Sequence, residues 1–213
     1  QFHHHQPAMS YTMLSYNAKC IVAKFALATT QEVQLGVDWY PSAFMIASRM
    51  GRRHAVSTLT AAGVIAALSP NNKWERNIKD AENVIMAYRH GTDEDVMAVR
   101  CCTYTKMQEK ALKVLNSATP IEEVLNGPKI IEFYHCITGD ETDVCIDGHA
   151  YSVWFGERLT MKEVPSIGKK LRERIKQDYK DATAFINDDL AENYLPSQIQ
   201  AITWVTHKRI YNV

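Results

Sequence analysis

The sequence lacks three features that would place it in a specialised class of protein. No hydrophobic run approaches the roughly 18 residues of a membrane-spanning helix, so we expect no membrane partner. The five cysteines form no Cys-x-x-Cys pair, and their odd number favours reduced thiols in a cytoplasm over a disulfide framework or a zinc site. The net charge is zero, with 24 basic and 24 acidic side chains, so overall charge neither indicates nor excludes a nucleic-acid partner.

Alternating hydrophobic and polar residues are almost absent as well, which argues against β-strands. The 213 residues, 46% of them hydrophobic, suffice for one globular domain with a sizeable core. Residues 1–8 contain three consecutive histidines and are interpreted as the remnant of a purification tag, which leaves one domain at residues 9–213. The prediction is an all-α, monomeric, cytoplasmic protein with no metal ion and no cofactor.

Hydrophobic residues recur with helical periodicity along most of the chain. Residues 31–37 are predicted to be a loop, and Pro41 is assigned to the first turn of a helix that ends at Gly51. Residues 55–68 are apolar almost all round and predict a central buried helix. The remaining predicted helices are 11–29, 73–89, 93–101, 105–116, 120–125, 130–137, one that starts at Asp147, 166–187 and 196–211.

Basic side chains gather in three clusters, which suit phosphate binding and solvated helix faces equally well. The clusters are Arg49, Arg52, Arg53 and His54; Lys162, Lys169, Lys170, Arg172, Arg174 and Lys176; and His207, Lys208 and Arg209.

The stretch from Leu125 to Trp154 organises the sequence. Asn126, Gly127 and Pro128 predict a tight turn, and a short amphipathic helix follows. The apolar run 144–146 then leads to Asp147, which stands before Gly148. A carboxylate in that position is either the N-cap of a helix or a catalytic group, and spacing alone leaves both open.

Two segments resemble the helix-hairpin-helix DNA glycosylases, the superfamily of endonuclease III-like repair enzymes. In the first, Gly127-Pro128-Lys129 stands where the family has its hairpin, and Lys129 precedes Asp147 by 18 residues. In the second, residues 67–77 (Ala-Leu-Ser-Pro-Asn-Asn-Lys-Trp-Glu-Arg-Asn) are similar to the stretch that closes one helix and opens the next in these enzymes. The resemblance implies a two-lobed helical fold with a helix-hairpin-helix element and a cleft between the lobes.

The resemblance also implies roles for two residues of the first segment. Asp147 would be the catalytic carboxylate. Lys129 would be a nucleophile that forms a Schiff base, a cation that holds a DNA phosphate, or a cap on the carbonyl groups of the hairpin. The sequence departs from the family in lacking Gly-x-Gly-x-Lys at the hairpin, and Pro128 removes a backbone N–H that could donate to a phosphate. It also lacks the four-cysteine iron–sulfur loop found in many of these enzymes.

Ser69, Asn71 and Asn72 fall where the family fills the gap left by a flipped base or lines the base pocket. Trp74 could stack on an extruded base, His149 could orient Asp147 or the hairpin, and Tyr134 faces either the core or the pocket. Each also has a plain structural interpretation: a turn that ends a helix for Ser69, Asn71 and Asn72, and a core position for Trp74, Tyr134 and His149. The residues assigned to the base pocket or to DNA contact are Ser69, Asn71, Asn72, Trp74, Asn126, Gly127, Tyr134 and His149.

The expected function is therefore a DNA glycosylase that flips a modified base out of double-stranded DNA and excises it, with or without strand cleavage. The base is expected to be unusual, such as a hypermodified phage pyrimidine, and the setting to be phage–host conflict in a bacterial cell. One alternative is an enzyme of the same fold that modifies 5-hydroxymethyluracil in phage DNA by displacing pyrophosphate. The other is a non-enzymatic module that binds nucleic acid or a nucleotide, in which Asp147 only caps a helix.

Overall fold

The computed structural model describes residues 9–213, and the predicted tag remnant at residues 1–8 lies outside them. Every regular element in the described range is helical, which confirms the all-α prediction. A short 3-10 helix at Tyr11–Met13 precedes the α-helices. These are α1 (Tyr16–Ala26), α2 (Thr30–His54), α3 (Thr58–Ala67), α4 (Trp74–His90), α5 (Asp93–Ala98), α6 (Thr105–Asn116), α7 (Ile121–Leu125), α8 (Pro128–Ile137), α9 (Gly148–Phe155), α10 (Lys169–Leu190) and α11 (Pro196–Tyr211).

The chain divides into two compact units. The first unit contains described residues 9–40 and 141–213, and the second contains residues 41–140. In the first unit α1 packs against α9, α10 and α11. The hydrophobic core of this unit contains Ile21, Val144, Ile146, Ala150, Tyr151, Val153, Trp154, Ile175, Tyr179, Ala182, Ile186, Ile199 and Ile202.

The second unit is built around α3, as its apolar composition predicts. Residues 61–68 are all buried, and α3 packs against α4, α6, α7 and α8. Close packing requires glycine at position 63, because a Cβ there would lie 2.9 Å from Ile121 Cγ2 and 3.0 Å from Val114 Cγ1. The predicted central helix is confirmed, although it begins at Thr58, after the N-cap Ser57.

The predicted loop at residues 31–37 is wrong, because α2 runs without a break from Thr30 to His54. A reciprocal pair of hydrogen bonds starts the helix: the Thr29 N–H donates to Glu32 Oε1 at 3.0 Å, and the Glu32 N–H donates to Thr29 Oγ1 at 3.1 Å. This is the capping-box pattern, in which two unsatisfied donors of the first turn find acceptors. Arg209 then fixes Glu32 through its Nε at 2.6 Å.

The predicted positions of Pro41 and Gly51 in α2 are wrong as well, since both lie inside the helix. Proline has no N–H for the carbonyl group four residues earlier, here that of Val37. Gln198 Nε2 lies 3.4 Å from this oxygen and donates to it instead. The helix ends after His54, where Ala55 adopts a left-handed conformation with φ of 55°.

None of the helices in the described range has the length and apolar character needed to cross a lipid bilayer.

Candidate functional site

Asp147 stands at the start of α9, after a buried apolar run. Residues 144–146 are buried and Asp147 itself is half-buried. Its extended backbone and its carboxylate make it the N-cap of α9, because Oδ1 accepts the Ala150 N–H at 2.8 Å. Capping occupies one oxygen, and Oδ2 accepts no hydrogen bond from the described part of the chain. The N-cap interpretation is therefore correct, and it leaves the second oxygen able to act on a ligand.

The backbone on both sides of Asp147 is fixed by side chains of α10. Arg172 Nη1 donates to the carbonyl oxygen of Ile146 at 2.9 Å, and the Tyr179 hydroxyl donates to that of Ala150 at 2.7 Å. The pKa of Tyr179 is raised well above its usual value, chiefly by burial and then by the nearby Asp147 carboxylate. Tyr179 therefore stays a neutral donor, and Asp147 sits on a rigid stretch of backbone.

Apolar side chains from the loop after α9 flank the start of that helix. A Cβ at Gly148 would lie 3.5 Å from Met161 Sδ and 3.7 Å from Val164 Cγ2. The loop is held at Thr160, whose N–H and hydroxyl donate to Glu163 Oε1 at 3.1 and 2.9 Å. These bonds lower the pKa of Glu163. Met161 itself is 77% exposed, so an apolar side chain faces solvent beside the candidate carboxylate.

His149, in the first turn of α9, belongs to a group of four rings that we call the ring array: His149, Trp204, His207 and Tyr211. The centroid of the His149 ring lies 6.5 Å from that of Trp204 and 6.1 Å from that of His207. His207 in turn lies 4.8 Å from Tyr211. His149 therefore lies between Trp204 and His207 in an aromatic cluster on α9 and α11.

Two lysines cover the outer rings of the array. Lys208 Nζ lies 4.3 Å from the centroid of Trp204, and Lys24 Nζ lies 4.5 Å from that of Tyr211. Both distances are within the range of cation–π attraction. Trp39 adds a further ring, packed edge-on against Trp204 at 5.9 Å. The array therefore combines aromatic surface with positive charge.

His207 is the most deeply buried member of the array, at 2% exposure. Its Nδ1 has no hydrogen-bond partner among the described residues, and neither does the buried Nε1 of Trp204. Burial, followed by the charges of Lys24, His149 and Arg158, lowers the pKa of His207 to about 4. The imidazole is therefore neutral at physiological pH.

Sequence reasoning treats His207 only as part of a basic cluster and misses this arrangement. A signal was available, because Trp204, His207 and Tyr211 fall three and four residues apart and so share one face of α11. Arg209, the third residue of the predicted basic cluster, lies outside the array and donates to Glu32 and to the Leu27 carbonyl oxygen. Nothing in the sequence pairs His149 with this face, since that contact depends on how α9 and α11 pack.

Lys129 belongs to the second unit, whereas Asp147 belongs to the first. It is exposed and is the second residue of α8. The turn before it is as predicted: Asn126 is left-handed, with φ of 50°, and Gly127 is the N-cap of α8. Another lysine that the sequence does not single out, Lys110 on α6, donates to the Leu125 carbonyl oxygen at the end of α7 at 2.6 Å.

The turn after α3 makes hydrogen bonds that suit its structural interpretation. Ser69 Oγ donates to the Ala66 carbonyl oxygen at 2.7 Å. Asn72 Nδ2 donates to the Leu68 carbonyl oxygen and to Asp80 Oδ2, both at 3.0 Å. These are contacts that end a helix and fix the next one, so a role for either side chain in a base pocket stays a prediction.

Asp80 is the centre of this turn's polar network, and the sequence does not single it out. Its side chain is fully buried, and it accepts Arg76 Nε at 2.7 Å and the Cys102 N–H at 2.8 Å in addition to Asn72. Three donors around one buried carboxylate compensate the cost of removing it from water. Asn71, by contrast, is exposed and left-handed, with φ of 53°.

The two remaining aromatic candidates have packing partners in the second unit. The Trp74 ring lies 6.0 Å from that of Phe133 in an edge-on arrangement. Tyr134 is 5% exposed, and burial followed by the charge of Glu122 raises its pKa. The ring contact of Trp74 and the burial of Tyr134 favour the core interpretation over stacking on an extruded base. No group of three or more His, Cys, Asp or Glu side chains in residues 9–213 has a metal-binding arrangement.

Comparison with known proteins places the chain in one family without assigning it an activity. The chain belongs to DUF7178, a family of unknown function, whose model matches residues 5–210. No curated protein and no solved structure matches it. Its function therefore has to be argued from the residues around Asp147.

Proposed function

We propose that this DUF7178 protein is a DNA glycosylase that removes a modified base from double-stranded DNA, with Asp147 acting at the reacting sugar. The observation that carries the proposal is the Asp147 carboxylate itself: it is held at a rigid N-cap through Oδ1, while Oδ2 accepts no hydrogen bond from the described residues. The resemblance of residues 67–77 and 127–150 to the helix-hairpin-helix glycosylases supports DNA as the substrate.

The chemistry needs one fixed negative charge. As the bond between C1′ and the base nitrogen breaks, positive charge develops on the sugar, and a carboxylate beside C1′ stabilises it. Water then adds to C1′ and gives up a proton, and the departing base takes up a proton. The products are the free base and an abasic site. A carboxylate that stabilises this charge or accepts the proton of the water contributes about 10²–10⁴-fold to the rate.

The nature of the base is a narrower proposal that rests on the resemblance alone. An unusual base, such as a hypermodified phage pyrimidine, would fit a role in phage–host conflict. Lys129 would add strand cleavage if its amine formed a Schiff base at C1′. Borohydride reduction traps that intermediate covalently and so tests Lys129 separately from Asp147.

The test is release of a base from unmodified and phage-modified duplexes, followed by alkali to cut at abasic sites. Asp147→Asn keeps an oxygen for the N-cap but removes the charge, so it should lower the rate by at least about 10²-fold without changing the melting temperature. The matched control is Ser57→Ala, which removes the side-chain cap of α3, where Ser57 Oγ accepts the Thr60 N–H at 3.0 Å. It should lose about 1 kcal/mol of stability and keep its activity.

Opposite results would favour a non-enzymatic nucleic-acid module, the alternative that the N-cap bond from Ala150 to Asp147 specifically supports. In that case no duplex releases a base, and Asp147→Asn binds DNA as the wild type does. A base whose mass changes while the strand stays resistant to alkali would instead indicate a base-modifying reaction and would overturn the glycosylase proposal.

A further inference from the structure

We propose that the ring array and the cations around it form an anion site that binds a backbone phosphate of nucleic acid. The site consists of His149, Trp204, His207 and Tyr211, with Lys24, Arg158 and Lys208 beside them. The inference that the site binds an anion stands on its own observations. Its assignment to nucleic acid rests on the proposed function.

The first observation is uncompensated positive charge. Lys24, Arg158 and Lys208 have no ion pair with a carboxylate among the described residues. Two other cations of the first unit are paired instead: Arg209 binds Glu32 at 2.6 Å, and Lys176 binds Asp143 at 2.7 Å. Charges that leave water are normally paired.

Lys24 shows that part of this charge has left water. It is half-buried, it lies over the Tyr211 ring, and burial lowers its pKa. An anion close to Lys24 would restore the interaction that burial removes. The two histidines add two further nitrogen groups able to donate, and His207 gains a charge if a bound anion raises its pKa.

The second observation is a pair of buried polar atoms without partners, His207 Nδ1 and Trp204 Nε1. Trp204 Nε1–H can only donate, and His207 Nδ1 donates in the neutral tautomer that carries its proton there. Buried donors are almost always hydrogen-bonded, so each exception calls for an acceptor. A phosphate oxygen is a strong acceptor that also meets the surrounding positive charge.

The third observation is aromatic surface combined with cations, with Lys208 over Trp204 and Lys24 over Tyr211. An arrangement that pairs cations with rings suits a nucleic-acid strand, since the cations hold the backbone and the rings can stack on bases. His149 follows Asp147 by two residues in the first turn of α9. The array therefore includes a residue of the same helical turn that Asp147 caps.

The direct test is to measure the pKa of His207 with and without a ligand, using the NMR signals of its imidazole carbons. Without ligand the pKa should be about 4. A saturating 15-mer duplex, or inorganic phosphate, should raise it by a unit or more, because a nearby anion stabilises the imidazolium. A pKa that moves with neither ligand would overturn the anion site. A change with phosphate or a nucleoside monophosphate but not with the duplex would overturn the assignment to a strand.

The second test is the salt dependence of duplex binding, measured by fluorescence anisotropy. The double variant Lys24→Met/Lys208→Met should bind more weakly, and the slope of log K against log salt should fall by about 1–2, since each phosphate contact contributes about 0.9. The matched control is Lys19→Met, because Lys19 is on α1 like Lys24 and lies over a ring, that of Tyr11 at 4.9 Å, outside the array. Equal slopes for the double variant and the wild type would overturn the proposal.

Both tests are made in the Asp147→Asn background, so they need no turnover. If the array binds the duplex but no DNA loses a base, the glycosylase proposal fails and the anion site stands. If a base is released while the pKa of His207 and the salt slope stay unchanged, the anion site fails and the glycosylase proposal stands.

Discussion

His207 gives the sharpest prediction, because its environment should make the stability of the protein depend on pH in a narrow window. The pKa of this histidine is 6.5 in an unfolded chain and about 4 in the folded protein. Between these values the unfolded chain binds more protons than the folded one, so stability falls as the pH is lowered through the window. Well above pH 6.5 both states are neutral at this position, and the histidine no longer affects stability.

The size of the effect follows from the two pKa values. A difference of one pKa unit corresponds to about 1.4 kcal/mol, so the loss attributable to His207 is at most about 3 kcal/mol when both states are protonated. At pH 5 it should amount to about 2 kcal/mol. A loss of this size is a sizeable part of the roughly 5–15 kcal/mol by which a domain is normally stable.

The assay is urea unfolding of wild type and His207→Gln at several pH values from 4 to 8, in a buffer without phosphate. Glutamine is polar and does not titrate, so the wild type should lose about 2 kcal/mol relative to the variant between pH 7.5 and pH 5. The variant Lys24→Met should lose an amount of stability between those of the wild type and His207→Gln. Because the charge of Lys24 lowers the pKa of His207, the loss should be smaller when Lys24 is absent. Parallel curves for wild type and His207→Gln would refute the assigned environment of this histidine.

Two further predictions concern backbone geometry. Gly36→Ala should destabilise the protein, because a Cβ there would lie 2.6 Å from the backbone N and Cα of Ile202. The cost of overpacking is about 1–3 kcal/mol, which outweighs the gain of about 0.8–1 kcal/mol in helix propensity. Thermal unfolding should show no such loss in Gly168→Ala, whose Cβ would have no neighbour within 4 Å. Ala191 adopts a left-handed conformation with φ of 54°, which costs a non-glycine residue about 1–2 kcal/mol. Ala191→Gly should therefore hold or raise the melting temperature, because relief of this strain exceeds the entropy cost of a glycine, about 0.4–1 kcal/mol. The interior helical substitution Ala87→Gly should lower it instead.

The amphipathic helices α6 and α11 could be predicted from the sequence to the residue, whereas α10, predicted at 166–187, runs from Lys169 to Leu190. The bounds predicted for α6 and α11 agree with the structure, at 105–116 and 196–211. In α11 the signal is local, since Pro196 occupies the first position and suits it, while hydrophobic residues recur at helical spacing. The short capping box at Thr92 and Asp95 is equally local, and α5 begins there as predicted.

The candidate site could be predicted only in part, because its contacts join distant parts of the chain. The position of Asp147 follows from neighbours in sequence: an apolar run before it and a small residue after it. The side chains that fix its backbone come from much later in the chain. Arg172 follows Ile146, whose carbonyl group it contacts, by 26 residues, and Tyr179 follows Ala150 by 29 residues. Helical periodicity indicates which face of α10 is buried, but not which carbonyl group its polar side chains meet.

The predicted loop and helix ends in α2 are wrong for the same reason, since contacts with a distant part of the chain decide where this helix runs. Proline and glycine alone are therefore weak evidence for the end of a helix. Pro41 leaves the Val37 carbonyl group without its helical donor, and a free chain would satisfy that oxygen with water. Here the amide of Gln198, which follows Val37 by 161 residues, donates to it at 3.4 Å. Gly36 contributes from the same segment, because the missing side chain lets α2 approach α11 at Ile202. The close approach that makes glycine necessary at position 36 also brings α11 near enough to compensate Pro41, so an unbroken helix tolerates two residues that are typical of a loop.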